Sequence, residues 1–131
     1  MDMFTVEKDW VTKAGYRAVV IVGCFSGKPH HRCGYIGVPE GHPCYGANYD
    51  IVQCNVHGGM TYANGGDYPV PSGLWWFGYD CAHYCDAPIV SDGLPRIDGE
   101  TVKTLAFCEG ECEQLAEELL TKKPTPGTDT D

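Results

Sequence analysis

Five consecutive apolar residues, Ala18-Val19-Val20-Ile21-Val22, constrain the fold of this chain more than any other segment. A strand sends successive side chains to opposite faces, so a run that is apolar at every position needs cover on both sides. Residues 17–22 are therefore read as a central strand, entered from Trp10 and Val11 through the turn residues Lys13-Ala14-Gly15. Glycines and a proline make 23–29 a loop; 32–38 resumes as a β segment ending at Pro39, and 40–50 reads as an ordered loop.

Further along, 51–57 alternates, with Val52, Cys54 and Val56 on one face and Gln53, Asn55 and His57 on the other, the pattern of a half-buried strand. The Gly- and Pro-rich stretch 64–73 is a loop. Residues 74–79 follow as an aromatic strand, with Trp75, Phe77 and Tyr79 on one side. Val102, Leu105, Cys108, Cys112, Leu115, Ala116 and Leu119 then recur at helical spacing, with glutamates opposite. Asp98 or Thr101 is the expected cap, and Gly110 inside the helix costs about 1 kcal/mol relative to alanine, favouring a kink. Lys122–Asp131 has no apolar anchor and is expected to be disordered. At 131 residues, 43% of them hydrophobic, the chain suits one core. The expectation is a single α+β domain over 1–121: a small, largely antiparallel sheet with one long C-terminal helix packed on it, followed by a 122–131 tail.

A net charge of -9 argues against long nucleic acids as partners, because neutralising phosphates needs a basic surface. Local cations such as Arg17, Lys28, Arg32 or Arg96 leave a small anionic ligand open. No stretch approaches the roughly 20 apolar residues of a membrane span, and the opening MDMFTVEKDW lacks a signal-like apolar region, so the expected setting is cytoplasmic, away from membranes. In that setting the eight cysteines are expected as thiols rather than a disulfide framework. Their C-x-x-x-C pairs, Cys81/Cys85 and Cys108/Cys112, differ from the C-x-x-C pairs of common zinc modules, and buried cysteine also serves as a small hydrophobe.

Three blocks concentrate histidine, glycine and aromatic residues: GYIGVPEGHPCYG at 34–46, VHGGMTY at 56–62 and WWFGYDCAHYCD at 75–86. Glycine permits close backbone approach and histidine titrates near neutrality, which together suggest a ligand or reaction site. His57 and His83, both at strand ends, are the candidate acid–base pair, with Asp80 orienting His83 and His42 a third member. Taken singly, each histidine is more simply a satisfied loop residue. His57, Asp80, His83 and Asp86 would alternatively suit a metal ion; no other cofactor is implied. Tyr45, Tyr62, Trp75 and Tyr79 are the candidate stacking surface, with Gly58 and Gly59 admitting a ligand to the backbone and Arg32 facing phosphate. Trp75 and Trp76 must point to opposite faces, so one of them is expected in the core. A cysteine nucleophile at Cys81 or Cys85 beside His83 is a further alternative.

Together, GYIGVPEGHPCYG, VHGGMTY and WWFGYDCAH, followed by ECEQLAEEL at 111–119, resemble a family of small proteins encoded in bacteriophage and prophage genomes. In place of the AHxGD that family shows, this chain has Cys85 before Asp86. The resemblance implies a phage accessory protein working in the cytoplasm of an infected bacterium. By analogy with unrelated phage proteins that antagonise host defence, the expected activity is a phosphodiesterase-like hydrolase of a small nucleotide signal. The alternatives are a nucleotide-binding sponge without turnover, and an interaction protein contacting a host partner through Glu111, Glu113, Glu117 and Glu118. Homo-oligomerisation is compatible with each.

Overall fold

The apolar run at 18–22 lies inside the second strand of a five-stranded sheet. The computed structural model describes residues 4–25, 28–52, 54–57, 59–66, 70, 73–81, 86–87 and 101–124. Strands β1 (Phe4–Val11), β2 (Arg17–Phe25), β3 (Lys28–Val38), β4 (Tyr62–Asn64) and β5 (Trp75–Asp80) pair in the order β1-β2-β3-β5-β4. Every neighbouring pair is antiparallel. Helix α1 (Leu105–Leu119) packs on one face. Two short strands, β6 (Asp86–Ala87) and β7 (Thr101–Val102), form a separate parallel ladder.

Strand β2 shows why its sequence is apolar throughout. Ala18 and Val20 join the core under α1, with Ile36, Val38, Phe77, Tyr79, Cys108, Cys112, Leu115, Ala116 and Leu119. Val19 and Ile21 point the other way, into a second buried cluster with Tyr35, Val70 and Trp76. Each fully buried valine or isoleucine contributes about 1.5–3 kcal/mol, so both faces of β2 hold the sheet together. Trp75 and Trp76 divide between the same two clusters, as adjacent strand residues must.

Strand β1 carries no such signal in its sequence. It is an edge strand, charged at Glu7, Lys8 and Asp9, with its register shifted between Val6 and Lys8. Charges and a bulge are the usual means by which an edge avoids pairing with another chain. The connection to β2 is closed by Thr12, whose N–H donates to the Tyr16 carbonyl at 2.8 Å, and by Gly15 at φ 96°.

A reciprocal packing joins β3 to β5. Each strand contains a Gly-Tyr step, and the register sets Gly34 opposite Tyr79 and Tyr35 opposite Gly78. Each tyrosine ring lies over the facing glycine: a Cβ on Gly34 would stand 2.5 Å from Tyr79 Cε1, and one on Gly78 would stand 2.5 Å from Tyr35 Cδ1. The glycines admit rings of the chain itself.

Helix α1 begins later than its apolar periodicity predicts. Thr104 is the N-cap, its hydroxyl accepting from the Phe107 N–H at 3.1 Å, whereas Thr101 and Val102 belong to β7. The helix runs unbroken through Gly110. Residues 51–57 also depart from expectation. Val52, Cys54 and Val56 do face the core, but no strand forms among the described residues of this segment; Tyr49–Ile51 is a short 3-10 turn, capped by the Asn48 side chain. The alternation placed the apolar face correctly, His57 of the expected polar face is itself half-buried against Phe107, and side chains of α1 take the place of a neighbouring strand. Of the 122–131 tail, residues 125–131 lie outside the described set, and the Lys122 carbonyl accepts from Cys44 Sγ at 3.4 Å.

Candidate functional site

Several residues singled out for binding are committed within the chain. Arg32 sets its guanidinium fork against Glu7, with Nε to Oε1 at 2.6 Å and Nη2 to Oε2 at 3.1 Å, and Nη1 donates to the Lys103 carbonyl at 2.9 Å. His42 is buried, and its Nδ1 accepts from the Cys44 N–H at 2.8 Å. That leaves Nε2 to donate to the Leu119 carbonyl at 2.6 Å, supplying a partner to the end of α1, where carbonyls lack one within the helix. Tyr79 is buried, and its hydroxyl donates to the Cys108 carbonyl at 3.0 Å. Burial, with Cys112 and Cys108 beside it, holds that phenol far above its ordinary range.

The remaining candidates spread over the molecule. The His57 ring packs edge-on against Phe107 of α1, with centroids 5.2 Å apart, and its backbone N–H donates to Glu111 Oε1 at 2.7 Å. Asp80 lies in register with Cys33 on the sheet face away from α1, where Thr61 Oγ1 donates to its carboxylate at 3.2 Å. Tyr62 meets Tyr35 in a T-shaped contact at 5.1 Å on that same face. Trp75 is held on the helix side by its indole N–H, which donates to the Ala47 carbonyl at 2.8 Å, with the Tyr45 ring tilted 6.0 Å away. Gly58 and His83 lie outside the described residues, as does the side chain of Asp86. Among the described residues no group of three or more His, Cys, Asp or Glu side chains is arranged to hold a metal ion.

Three of the four glutamates named on the acidic face of α1, Glu111, Glu113 and Glu118, are occupied as well, while Glu117 is exposed. Toward β1, Glu109 pairs with Lys8 at 2.5 Å, and Glu113 accepts from Trp10 Nε1 at 2.9 Å and the Lys13 N–H at 3.0 Å. Toward 54–57, Glu118 accepts the Asn55 N–H at 3.0 Å and Gln114 Nε2 donates to the Asn55 carbonyl at 3.0 Å, beside the Glu111 contact to His57. These side chains serve backbone groups that would otherwise need a strand partner. Hydrogen bonds to the carboxylate push the Glu113 pKa below its ordinary value, the Trp10 indole contributing most.

The segment held by Glu111, Gln114 and Glu118 forms one wall of an open cleft of about 330 Å³, lined by Tyr49, Asp50, Val52, Cys54, Gly59 and Met60. Gly59 takes φ 81° and its N–H closes a turn onto the Val56 carbonyl at 2.8 Å, which brings Met60 across from the 3-10 turn. Tyr49 is 39% exposed, and Tyr45, four residues earlier, is 37% exposed. Burial, then Glu118, pushes the Cys54 thiol up to about 11, so it sits in the wall as a neutral group rather than a nucleophile. Of these six residues only Gly59 was a candidate from sequence. The available signal was Asn48-Tyr49-Asp50, a capping residue followed by an exposed ring and a carboxylate after a Gly- and Pro-rich loop. Comparison with protein-family models, with curated proteins and with solved structures finds no match to this chain.

Proposed function

We propose that the protein binds a small nucleotide-like ligand by its base, in the cleft between Tyr49-Asp50 and Gly59-Met60, and retains it without turnover. The cleft lining carries this reading. It offers an exposed ring for stacking, a thioether that adapts to a flat apolar surface, and one carboxylate. A carboxylate accepts hydrogen bonds from amino and ring N–H groups and repels phosphate, so guanine, which presents a ring N–H beside an amino group, is favoured and the phosphate end is turned outward. Arg32, the phosphate contact expected from sequence, is spent on Glu7 and Lys103, which supports a ligand of low charge. In a phage accessory protein of the kind the motifs resemble, such binding would sequester a nucleotide signal.

The test is equilibrium dialysis with guanosine, cytidine, adenosine, uridine, their monophosphates and their cyclic monophosphates, followed by denaturation and chromatography of the ligand. Guanosine should bind most tightly and be recovered intact. Tyr49→Ala should weaken binding by about 5- to 100-fold, the equivalent of 1–3 kcal/mol for one stacked base. Asp50→Asn should weaken it by about tenfold or more, as expected for a hydrogen bond to a charged group. Binding that ignores both substitutions, or no binding by any compound, overturns the proposal. Recovery of cleaved products would replace it with the hydrolase reading centred on His57 and His83.

A further inference from the structure

Two thiols from distant parts of the chain meet beneath α1. Cys81 follows directly on β5 and Cys108 lies in the first turns of the helix, 27 residues later; their sulfurs are 3.7 Å apart and both residues are buried. We propose that Cys81 and Cys108 are a redox pair that closes to a disulfide when the protein meets hydrogen peroxide, tying the end of β5 to α1. This does not depend on the ligand cleft.

The geometry favours this pair over pairings through Cys112 or Cys33. A disulfide bond is about 2.05 Å long, so closure needs the sulfurs to approach by less than about 2 Å, within reach of small side-chain rotations. Cys112 directs its sulfur at the Tyr79 hydroxyl, 3.8 Å away. Cys33 stands on the far face of the sheet, packed with Tyr35 and Trp76. Thiolate character separates them too. Burial pushes Cys112 up to about 12 and Cys33 up to about 11. Cys108 is instead held below its ordinary value, chiefly by its hydrogen bond with Cys81, with the Tyr79 hydroxyl and the Arg32 charge assisting against burial.

The chemistry begins at that sulfur. The Cys108 thiolate attacks one peroxide oxygen; the O–O bond breaks, and the hydroxide released takes a proton to become water, leaving a sulfenic acid. Cys81 then attacks the Cys108 sulfur. The S–S bond forms, the S–O bond breaks, and the departing hydroxide leaves as water with the Cys81 proton. Two thiols lose two electrons and two protons, and one peroxide becomes two waters. Burial slows the approach of peroxide without changing which sulfurs are adjacent.

The experiment treats the full, reduced chain with hydrogen peroxide, quenches with an alkylating agent under denaturing conditions, and maps links after chymotrypsin digestion. Chymotrypsin cuts after Tyr84 and so separates Cys81 from Cys85. The expected product joins Cys81 to Cys108, is lighter by two hydrogens, and is reversed by dithiothreitol. Cys112→Ser should retain the link and Cys108→Ser should abolish it, with circular dichroism confirming that each variant is folded. A link from Cys81 to Cys85, a link through Cys112 or Cys33, or no link at peroxide doses that alkylation shows to have oxidised Cys108, would overturn the assignment. Should Cys108→Ser fail to fold, loss of the link in folded Cys112→Ser would do the same.

Discussion

Replacing Gly34 by alanine tests whether the Gly-Tyr crossing between β3 and β5 is a packing device. The added methyl would stand 2.5 Å from Tyr79 Cε1, 2.6 Å from its hydroxyl and 2.7 Å from Cζ, where ordinary contact begins near 3.4 Å. The ring must therefore move by roughly 1 Å inside a close-packed core, and overpacking of this kind costs about 1–3 kcal/mol. Movement also breaks the 3.0 Å hydrogen bond from the Tyr79 hydroxyl to the Cys108 carbonyl, and a buried hydroxyl left unpaired costs about 1–3 kcal/mol more. Alanine restricts the unfolded chain and returns about 0.4–1 kcal/mol. The net expectation is a loss of about 2–4 kcal/mol, read by urea unfolding monitored by circular dichroism. Gly110→Ala is the matched control: its Cβ would meet nothing within 4 Å, and on a helix it should stabilise by about 0.5–1 kcal/mol. Combining Gly34→Ala with Tyr79→Ala should cost less than the sum of the two, because removing the ring removes the clash. A Gly34→Ala chain as stable as the parent, or strict additivity in the double variant, would refute the reasoning.

Arg32→Ala should cost about 1–3 kcal/mol in urea unfolding through loss of its charged hydrogen bonds to Glu7 and Lys103, and Arg32→Lys should recover little of it because an ammonium cannot match the two-pronged contact. His42→Ala should destabilise by about 1–3 kcal/mol and speed hydrogen exchange at the Cys44 amide, since both ring nitrogens serve the backbone; unchanged exchange would show that the ring is dispensable there. Because the folded-state pKa of Glu113 lies below its ordinary 4.5, its contribution is present above that pH and is lost as pH falls through the lowered value. Glu113→Gln should therefore flatten the acid limb of the stability curve below about pH 5, and an identical limb would count against the role given to this carboxylate.

How much of this was legible in the sequence depended on whether the information was local. The interior strand at 17–22 and the aromatic strand at 74–79 were readable because a strand covered on both faces is apolar or aromatic at successive positions. The buried row Cys108, Cys112, Leu115, Ala116 and Leu119 was readable for the corresponding helical reason. Strand β1 was not, since an edge strand protected by charge and a bulge lacks clean alternation. At 52–57 the apolar face was right and the backbone partner wrong: glutamates and a glutamine some 60 residues away supply the hydrogen bonds a strand would have given. The glycines misled for the same reason. Gly34 and Gly78 lie in blocks whose glycine content was read as a sign of a ligand site, whereas each makes room for a tyrosine whose position only the strand register fixes. The cleft was missed because Tyr49 and Asp50 lie outside the three blocks, Met60 of VHGGMTY is neither titratable nor aromatic, and they meet only through the turn at Gly59.

The glutamates of α1 hold β1 on one flank and the 54–57 segment on the other, and the helix is synthesised after every strand it anchors. A nascent chain can align its strands on the ribosome, yet edge strand β1 and the 54–57 segment lack these anchors until residues 109–118 emerge and fold. Completion of the native state is thus deferred to a late step of biosynthesis, and translational pausing just upstream of the helix would prolong the interval in which an exposed sheet margin can meet other chains.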